Sequence, residues 1–456
     1  MEDVSVWLTI VGLLIIFSIV GLLIASKVSP IVGMTIIPII GAFLAGFNFT
    51  DLSAFLTDGS ERVMGVVIMF IFAIVYFGIM QDSGLFNPFI RFMILVTKGN
   101  VIIVAMATAV IGMIAQLDGA GASTFLLCIP ALLPLYKELH MSRYLLLLLV
   151  ALSASVINMI PWGGPSARAA TAIDMELIEF YLPLIPIQGI GIVLILALAA
   201  LLGIREKRKI SKKAAAGEIT KEENINILAI ADNFTQRQNE EMAAAKEQPR
   251  DIKGRNWANL ILTVLVLGTM MAGLLEPQYA FMIGVALALP LNYQGVDNQM
   301  NRVKVHAPNA LMMAAVILAA GVFLGVLNKS GMLEQIALAA VAIMPAFVIP
   351  FIHVIVGILG VPLDLLTSTD AYYFALLPIV DQIASTQGIP SVSTAYSMMI
   401  GNIIGTFVSP FSPALWLGIG LASANMGKHI KYSFFWLWGF SIILLGCAIL
   451  IGVVSL

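Results

Sequence analysis

Long apolar runs separated by short polar breaks dominate the chain. Runs of about 20 apolar residues read as membrane-crossing helices, and they predict spans over 4–25, 30–48, 62–80 and 181–203 in the first half. Between these lie an element over 100–136 that dips into the membrane and turns back, and a span over 142–173 that is broken near its middle. The second half predicts spans over 256–274, 279–291, 307–327 and 430–455, a re-entrant element over 341–386 and a broken span over 394–425. The opening run follows two acids, Glu2 and Asp3, rather than a basic segment, so it reads as a first span and not as a cleaved signal. The expected fold is an all-α polytopic membrane protein with two re-entrant hairpins, two broken helices and about ten full crossings.

The two halves also resemble each other. Phe77-Gly78-Ile79-Met80 aligns with Leu324-Gly325-Val326-Leu327, and Ser83-Gly84-Leu85 with Ser330-Gly331-Met332. Ala131-Leu132-Leu133-Pro134 aligns with Ala375-Leu376-Leu377-Pro378, and Ala151, Ser153 and Asn158 align with Ala395, Ser397 and Asn402. Five crossings per half make the second half enter from the opposite face, which is an inverted repeat. Many secondary transporters obtain alternating access through that arrangement, with the site near mid-membrane.

Charge sharpens this division. Arg205–Arg255 holds 12 of the 24 Lys and Arg residues and 9 of the 26 acids, and it separates a first membrane repeat (1–204) from a second (256–456). The basic residues Lys27, Arg91, Lys98, Lys137, Arg143, Arg302, Lys304, Lys428 and Lys431 fall on the same side as this linker. By the positive-inside rule the linker (205–255) is cytoplasmic and both termini are extracytoplasmic. A chain that is 60% hydrophobic and 11% charged, with a mean hydropathy of +0.99, is excluded from the soluble classes. Its net charge of −2 offers no basic face for nucleic acid. Two cysteines in apolar stretches build neither a disulfide framework nor a metal cluster. No Walker, Rossmann or nucleophile–base motif suggests a pump or an enzyme.

The candidate chemistry lies in four breaks. Gln116-Leu117-Asp118-Gly119-Ala120-Gly121-Ala122-Ser123-Thr124 places a carboxylate and two hydroxyls at a glycine turn. Asp118 there carries a proton, holds a cation or caps a helix. Asn158 to Arg168 encloses Pro161, Gly163, Gly164, Pro165 and Ser166; Arg168 captures a carboxylate or snorkels at the outer interface. The third break includes Asp364, Thr367, Ser368, Thr369 and Asp370, followed by Tyr372 and Tyr373 as ligands or interfacial anchors. The fourth contains Asn402, Thr406 and Ser409. The candidate substrate-binding set is therefore Gly121, Ser123, Thr124, Asn158, Gly163, Gly164, Ser166, Arg168, Thr367, Ser368, Asn402, Thr406 and Ser409, with Asp118, Asp364 and Asp370 for metal or proton coupling. His353 reads as a packed histidine or a proton relay.

These stretches, with Ile129-Pro130-Ala131-Leu132-Leu133-Pro134-Leu135-Tyr136, Asp370-Ala371-Tyr372-Tyr373-Phe374, Val408-Ser409-Pro410 and Trp436-Leu437-Trp438-Gly439, resemble the citrate–divalent metal–proton symporter family. Pro161-Trp162-Gly163-Gly164-Pro165 is the most specific part, and the resemblance runs over nearly the whole chain. It implies a symporter of the bacterial inner membrane, with no resident cofactor, that imports citrate or a related carboxylate with protons. Mg²⁺ or Ca²⁺ would travel with the substrate. It also implies a homodimer with a fixed scaffold and a moving transport domain. The wider superfamily includes dicarboxylate transporters, which leaves Na⁺ coupling or another organic anion as the alternative. The chain departs from the family pattern at Gln116, at Asn328-Lys329-Ser330, at Ala395-Tyr396-Ser397 and at Gly401-Asn402, so the second half-site is the more divergent.

Overall fold

The structure, a computed structural model, describes residues 5–25, 27–218, 226–244, 249–250, 254–366, 369–410 and 412–456. It is all-helical, with no strand among the described residues. The first half runs α1 (Val6–Ile24), α2 (Pro30–Leu44), α3 (Phe49–Asp82), α4 (Asn87–Val96), α5 (Val101–Ala115), α6 (Gly121–Glu138), α7 (Arg143–Ile157), α8 (Gly164–Ala172), α9 (Leu177–Tyr181) and α10 (Ile185–Ala215). After α11 (Ile227–Ala244), the second half runs α12 (Arg255–Met271), α13 (Pro277–Asn292), α14 (Val296–Lys329), α15 (Met332–Ile343), α16 (Ile352–Ile358), α17 (Gly360–Leu366), α18 (Leu377–Ser385), α19 (Ser391–Ile403), α20 (Pro413–Leu421) and α21 (Met426–Leu450). The order of short pair, long helix, hairpin, broken helix and closing helix recurs, and α3 and α14 are each 34 residues long.

Six helical segments among the described residues are long and apolar enough to cross a membrane, or seven if α16 and α17, bent by 65°, count as one. The apolar helices α2, α4, α7 and α15 are shorter. The chain is a multi-pass membrane protein. Its pattern of exposure fits that setting: Phe17, Leu201, Val264 and Leu311 are exposed on the outside of the bundle, while most of the polar break residues lie inside.

Helices α3 and α14 cross at the centre of one part of the fold. Glycine makes the close approach possible: a Cβ on Gly321 would lie 2.5 Å from the Gly59 carbonyl oxygen. Both ends of the antiparallel pair carry ion pairs. Asp58 on α3 meets Lys329 at 3.1 Å and Arg62 at 2.8 Å, and Arg62 also reaches Asp174 at 3.2 Å. At the other end Asp82 pairs with Arg302 and His306, each at 2.8 Å. The two aspartates are 24 positions apart, roughly 36 Å at 1.5 Å per residue, a separation long enough to bracket a hydrocarbon core of about 30 Å. That geometry explains why both helices outrun the spans expected over 62–80 and 307–327: their polar ends are still helical beyond the apolar window.

The expected linker contains packed structure. Residue 205, where the charge run begins, lies inside α10. Within the run, α11 buries Ala231 and Phe234 and packs on α4 and α6. Arg91 on α4 pairs with Asp232 at 2.8 Å. Arg237 donates to the Pro130 carbonyl at 3.0 Å. That carbonyl is available because Pro134, four residues on, has no N–H to bond it.

Candidate functional site

The first half-site forms where α5 ends. A 3-10 turn over Gln116–Asp118 closes on Gly119, whose φ of 74° is the left-handed conformation that glycine adopts without strain. Asp118 is buried, and its carboxylate accepts from Ala120 N–H at 2.8 Å and from the Ser123 hydroxyl. Gln116 Oε1 accepts from Thr124 Oγ1 at 2.6 Å, and its Nε2 donates to Asn158 Oδ1 at 3.3 Å. Gln116 thus joins the first break to the second.

In the broken helix, Asn158 ends α7 and Gly163 precedes α8. Pro165, in the first turn of α8, needs no N–H partner there. Trp162 donates its indole N–H to the Leu117 carbonyl at 2.8 Å. Its ring stacks on Phe77 of α3 at 5.6 Å and meets Phe281 of α13 edge-on at 5.6 Å. Trp162 therefore pins the Asp118 turn and wedges it against α3 and α13. Ser166 donates to the Met159 carbonyl at 2.6 Å across the break and lies 3.7 Å from the Met399 sulfur.

The second half-site repeats the plan with different polar groups. Helices α16 and α17 cross α19 where Gly357, Gly360 and Gly401 bring backbones together; a Cβ on Gly357 would lie 2.6 Å from the Ser397 carbonyl oxygen. Asp364, fully buried, accepts from Asn402 Nδ2 at 3.1 Å and from Thr369 Oγ1 at 3.4 Å, all on Oδ1. The same Asn402 amide donates to Gly360 O at 3.3 Å, and these two acceptors fix its orientation. Ser409 donates to the Asp364 carbonyl at 2.6 Å. Asp364 Oδ2, Asn402 Oδ1 and Thr406 Oγ1 are buried with no hydrogen-bond partner among the described residues. Such groups are uncommon in a packed interior and call for an explanation.

The two half-sites touch. The ring of Phe407 lies against Gly121 and makes an edge contact with Phe125 at 6.3 Å. Ser155 on α7 donates to the Ile404 carbonyl at 3.4 Å. Arg168 Nε donates to Asp370 Oδ1 at 2.8 Å, and the two side chains are 12% and 15% exposed. The Arg168 guanidinium also lies beside Gly164 and 3.8 Å from the Met313 sulfur of α14.

Most of the residues singled out from the sequence come together. Asp118, Ser123, Thr124 and Asn158 share one network, Asp364, Asn402 and Ser409 another, and Gly121, Gly163, Gly164, Ser166 and Thr406 line the breaks. Asp370, grouped in sequence with Asp364, pairs instead with Arg168, which faces the second half. Thr367 and Ser368 lie outside the described residues. Tyr372 and Tyr373 are buried, and Tyr372 donates to the Met398 carbonyl at 3.1 Å, so neither is an interfacial anchor. His353 is packed, with Nε2 on the Ser455 carbonyl at 2.8 Å. Gln116 and Thr369, which lie in the polar breaks but outside the candidate set, join the site, and so does Met313. Gln116 was visible as a polar residue two positions before Asp118; Met313, 145 residues from Arg168, gave no signal.

Comparison with known proteins follows the same lines. The citrate transporter family model, CitMHS, matches residues 1–401. A citrate transporter of Bacillus subtilis (strain 168) is 33% identical over 448 residues, covering 98% of this chain and 100% of that protein. A Mg²⁺/citrate complex secondary transporter of the same organism is 31% identical over 449 residues, covering 98% and 99%. These relatives are transporters, not enzymes. Among solved structures, the Alcanivorax borkumensis YdaH transporter aligns with a TM-score of 0.59 at 15% identity, over 89% of this chain and 90% of that one. Neisseria gonorrhoeae MtrF aligns at 0.55 and 12% identity, over 87% and 84%. Those two likenesses concern the fold. With a family model over most of its length and full-length relatives above 30% identity, the chain belongs to the citrate transporter family.

Proposed function

We propose that this protein is a secondary active symporter that imports citrate together with protons, the divalent cation travelling on citrate's own oxygens as cargo. The observation that carries the reading is the set of buried oxygens without partners among the described residues, Asp364 Oδ2, Asn402 Oδ1 and Thr406 Oγ1, in a second half-site packed against the first. Acceptor oxygens attract a proton or a cation, and the free N–H groups at the starts of α6 and α8 attract an anion. Both kinds of group at one locus suit cotransport of an anion with a positive partner. In this reading Asp118 and Asp364 carry the coupling charge, and the Arg168–Asp370 pair opens to admit a substrate carboxylate. The two repeats, 1–204 and 256–456, are inverted about the membrane plane, with about ten crossings. The 205–255 linker is cytoplasmic, both termini are extracytoplasmic, and the protein is a homodimer of the bacterial inner membrane. The same three oxygens also favour Na⁺ as coupling ion, which is the second reading.

Uptake of labelled citrate into proteoliposomes, with and without Mg²⁺, Ca²⁺, Na⁺ and a pH gradient, tests both. The expected outcome is gradient-driven uptake stimulated by a divalent cation. Asp364→Asn should abolish that net uptake while citrate exchange persists. Wild-type uptake in Asp364→Asn with unchanged pH and Na⁺ dependence removes Asp364 from coupling.

A further inference from the structure

A cavity of about 750 Å³ lies between the start of α4, the end of α5 and one face of α12. Its volume falls within the roughly 300–1,000 Å³ of small-molecule sites. Its wall is graded. Arg255 stands at one end with Trp257 nearby, while Leu260, Phe86, Ile114 and Leu117 make the rest largely apolar. Trp257 and Leu260 are 71% and 42% exposed, so the cavity opens on the outside of the bundle, where the bilayer lies. Along α12 the lining runs from Arg255 to Thr263, a depth of roughly 12 Å at 1.5 Å per residue. Trp is a residue of the headgroup level, and an arginine beside it suits an anionic headgroup.

Among the described residues, no carboxylate pairs with the charge at this mouth. The nearby carboxylate of Asp82 is held by Arg302 and His306. Arg255 has neutral partners among the described residues: it donates to the Ser83 carbonyl at 3.2 Å and to the Arg250 carbonyl, and its Nε is buried without a partner. We propose that this cavity binds an anionic phospholipid, with the phosphate at Arg255 and one acyl chain running past Leu260 to Ile114 and Leu117. The inference does not depend on what the protein carries. It places lipid directly behind the transport site, because Leu117 precedes Asp118 and its carbonyl accepts the Trp162 indole. A chain packed on Leu117 supports the turn that holds the carboxylate.

Fluorescence of the full-length protein in phosphatidylcholine vesicles tests this, with bromine-labelled phosphatidylglycerol or phosphatidylcholine added at equal mole fraction. The signal of Trp257 is isolated by subtraction of Trp257→Phe. Brominated phosphatidylglycerol should quench it at a lower mole fraction than brominated phosphatidylcholine, by about fivefold for one basic charge at the headgroup level. Arg255→Gln should remove that preference and Arg255→Lys should keep it. Leu260→Phe, which leaves the Arg255 carbonyl bonds intact, should weaken quenching by both lipids. Equal quenching by the two lipids in the wild type, a preference unchanged in Arg255→Gln, or quenching unaltered in Leu260→Phe overturns the proposal. A cavity filled by a segment of the chain itself would give those overturning results.

Discussion

Arg168→Ala removes the cation from an ion pair that ties the first half of the chain to the second, and its effect can be worked from the geometry. Arg168 Nε and Asp370 Oδ1 are 2.8 Å apart, with the side chains 12% and 15% exposed. At that burial the value of about 0–1 kcal/mol for surface pairs does not apply. Stranding one charge of a buried pair costs about 3–5 kcal/mol, and a single hydrogen bond rather than a bidentate one puts this case near 3. At roughly 2 °C per kcal/mol for a large chain, the apparent Tm should fall by about 6 °C. Asp370→Ala should do the same, since it strands Arg168. The double variant strands nothing, so its loss should fall short of the sum of the single losses by about 2 kcal/mol. The assay is thermal unfolding of the full chain in one detergent at one scan rate, because irreversible unfolding makes Tm depend on the rate. Additive losses in the double variant, or an Arg168→Ala protein that melts within about 1 °C of wild type, would refute the assignment of this pair as a buried clasp.

Gly401→Ala should lower thermal stability by more than about 2 kcal/mol, because its Cβ would meet the Gly357 backbone, which has no side chain to swing away. Gly439→Ala in α21, with nothing within 4 Å of its Cβ, should instead be neutral or stabilise by about 0.5–1 kcal/mol in the same melt. Trp162→Phe keeps the aromatic contacts with Phe77 and Phe281 but loses the bond to Leu117, so it should destabilise by about 1 kcal/mol and slow uptake in proteoliposomes. Arg237→Ala leaves the Pro130 carbonyl without its donor, and protease should then cut the 205–255 segment faster than in wild type.

Much of the fold was legible because a bilayer tolerates few patterns. Apolar runs had to be helices, and Pro161, Gly163, Gly164 and Pro165 had to end one of them. Elements whose apolar surface is small or one-sided were harder to see. The amphipathic α4 and α11 and the short α15 lack a run of spanning length, yet each buries residues: Ile90 and Ile94, Ala231 and Phe234, Met332 and Leu333. At the site, the residue types and the pairing of breaks were visible, but partner choice was not. Asp364 and Asp370 are six residues apart in one polar stretch, yet one meets Asn402 and the other Arg168. Arg168 and Asp370 are 202 residues apart, a separation across which no local period carries information.

The two half-sites share a plan but not a state of satisfaction, and this asymmetry bears on how they divide their work. In the first, both carboxylate oxygens of Asp118 accept a hydrogen bond, and Thr124, Gln116 and Asn158 form a hydrogen-bonded chain. A ligand entering there must displace bonds already made, so this half is suited to reading shape and holding a defined turn, with Trp162 pinning it from behind. In the second, Asp364 and Asn402 each spend one polar atom on the other and keep an oxygen in reserve, with Thr406 beside them. Leaving a buried acceptor unpaired costs about 1–3 kcal/mol, so three in one half-site favour any proton or cation that arrives. Under the proposed function, Asp364 is then the coupling carboxylate with an acceptor oxygen to spare, while Asp118 carries its charge within bonds already made.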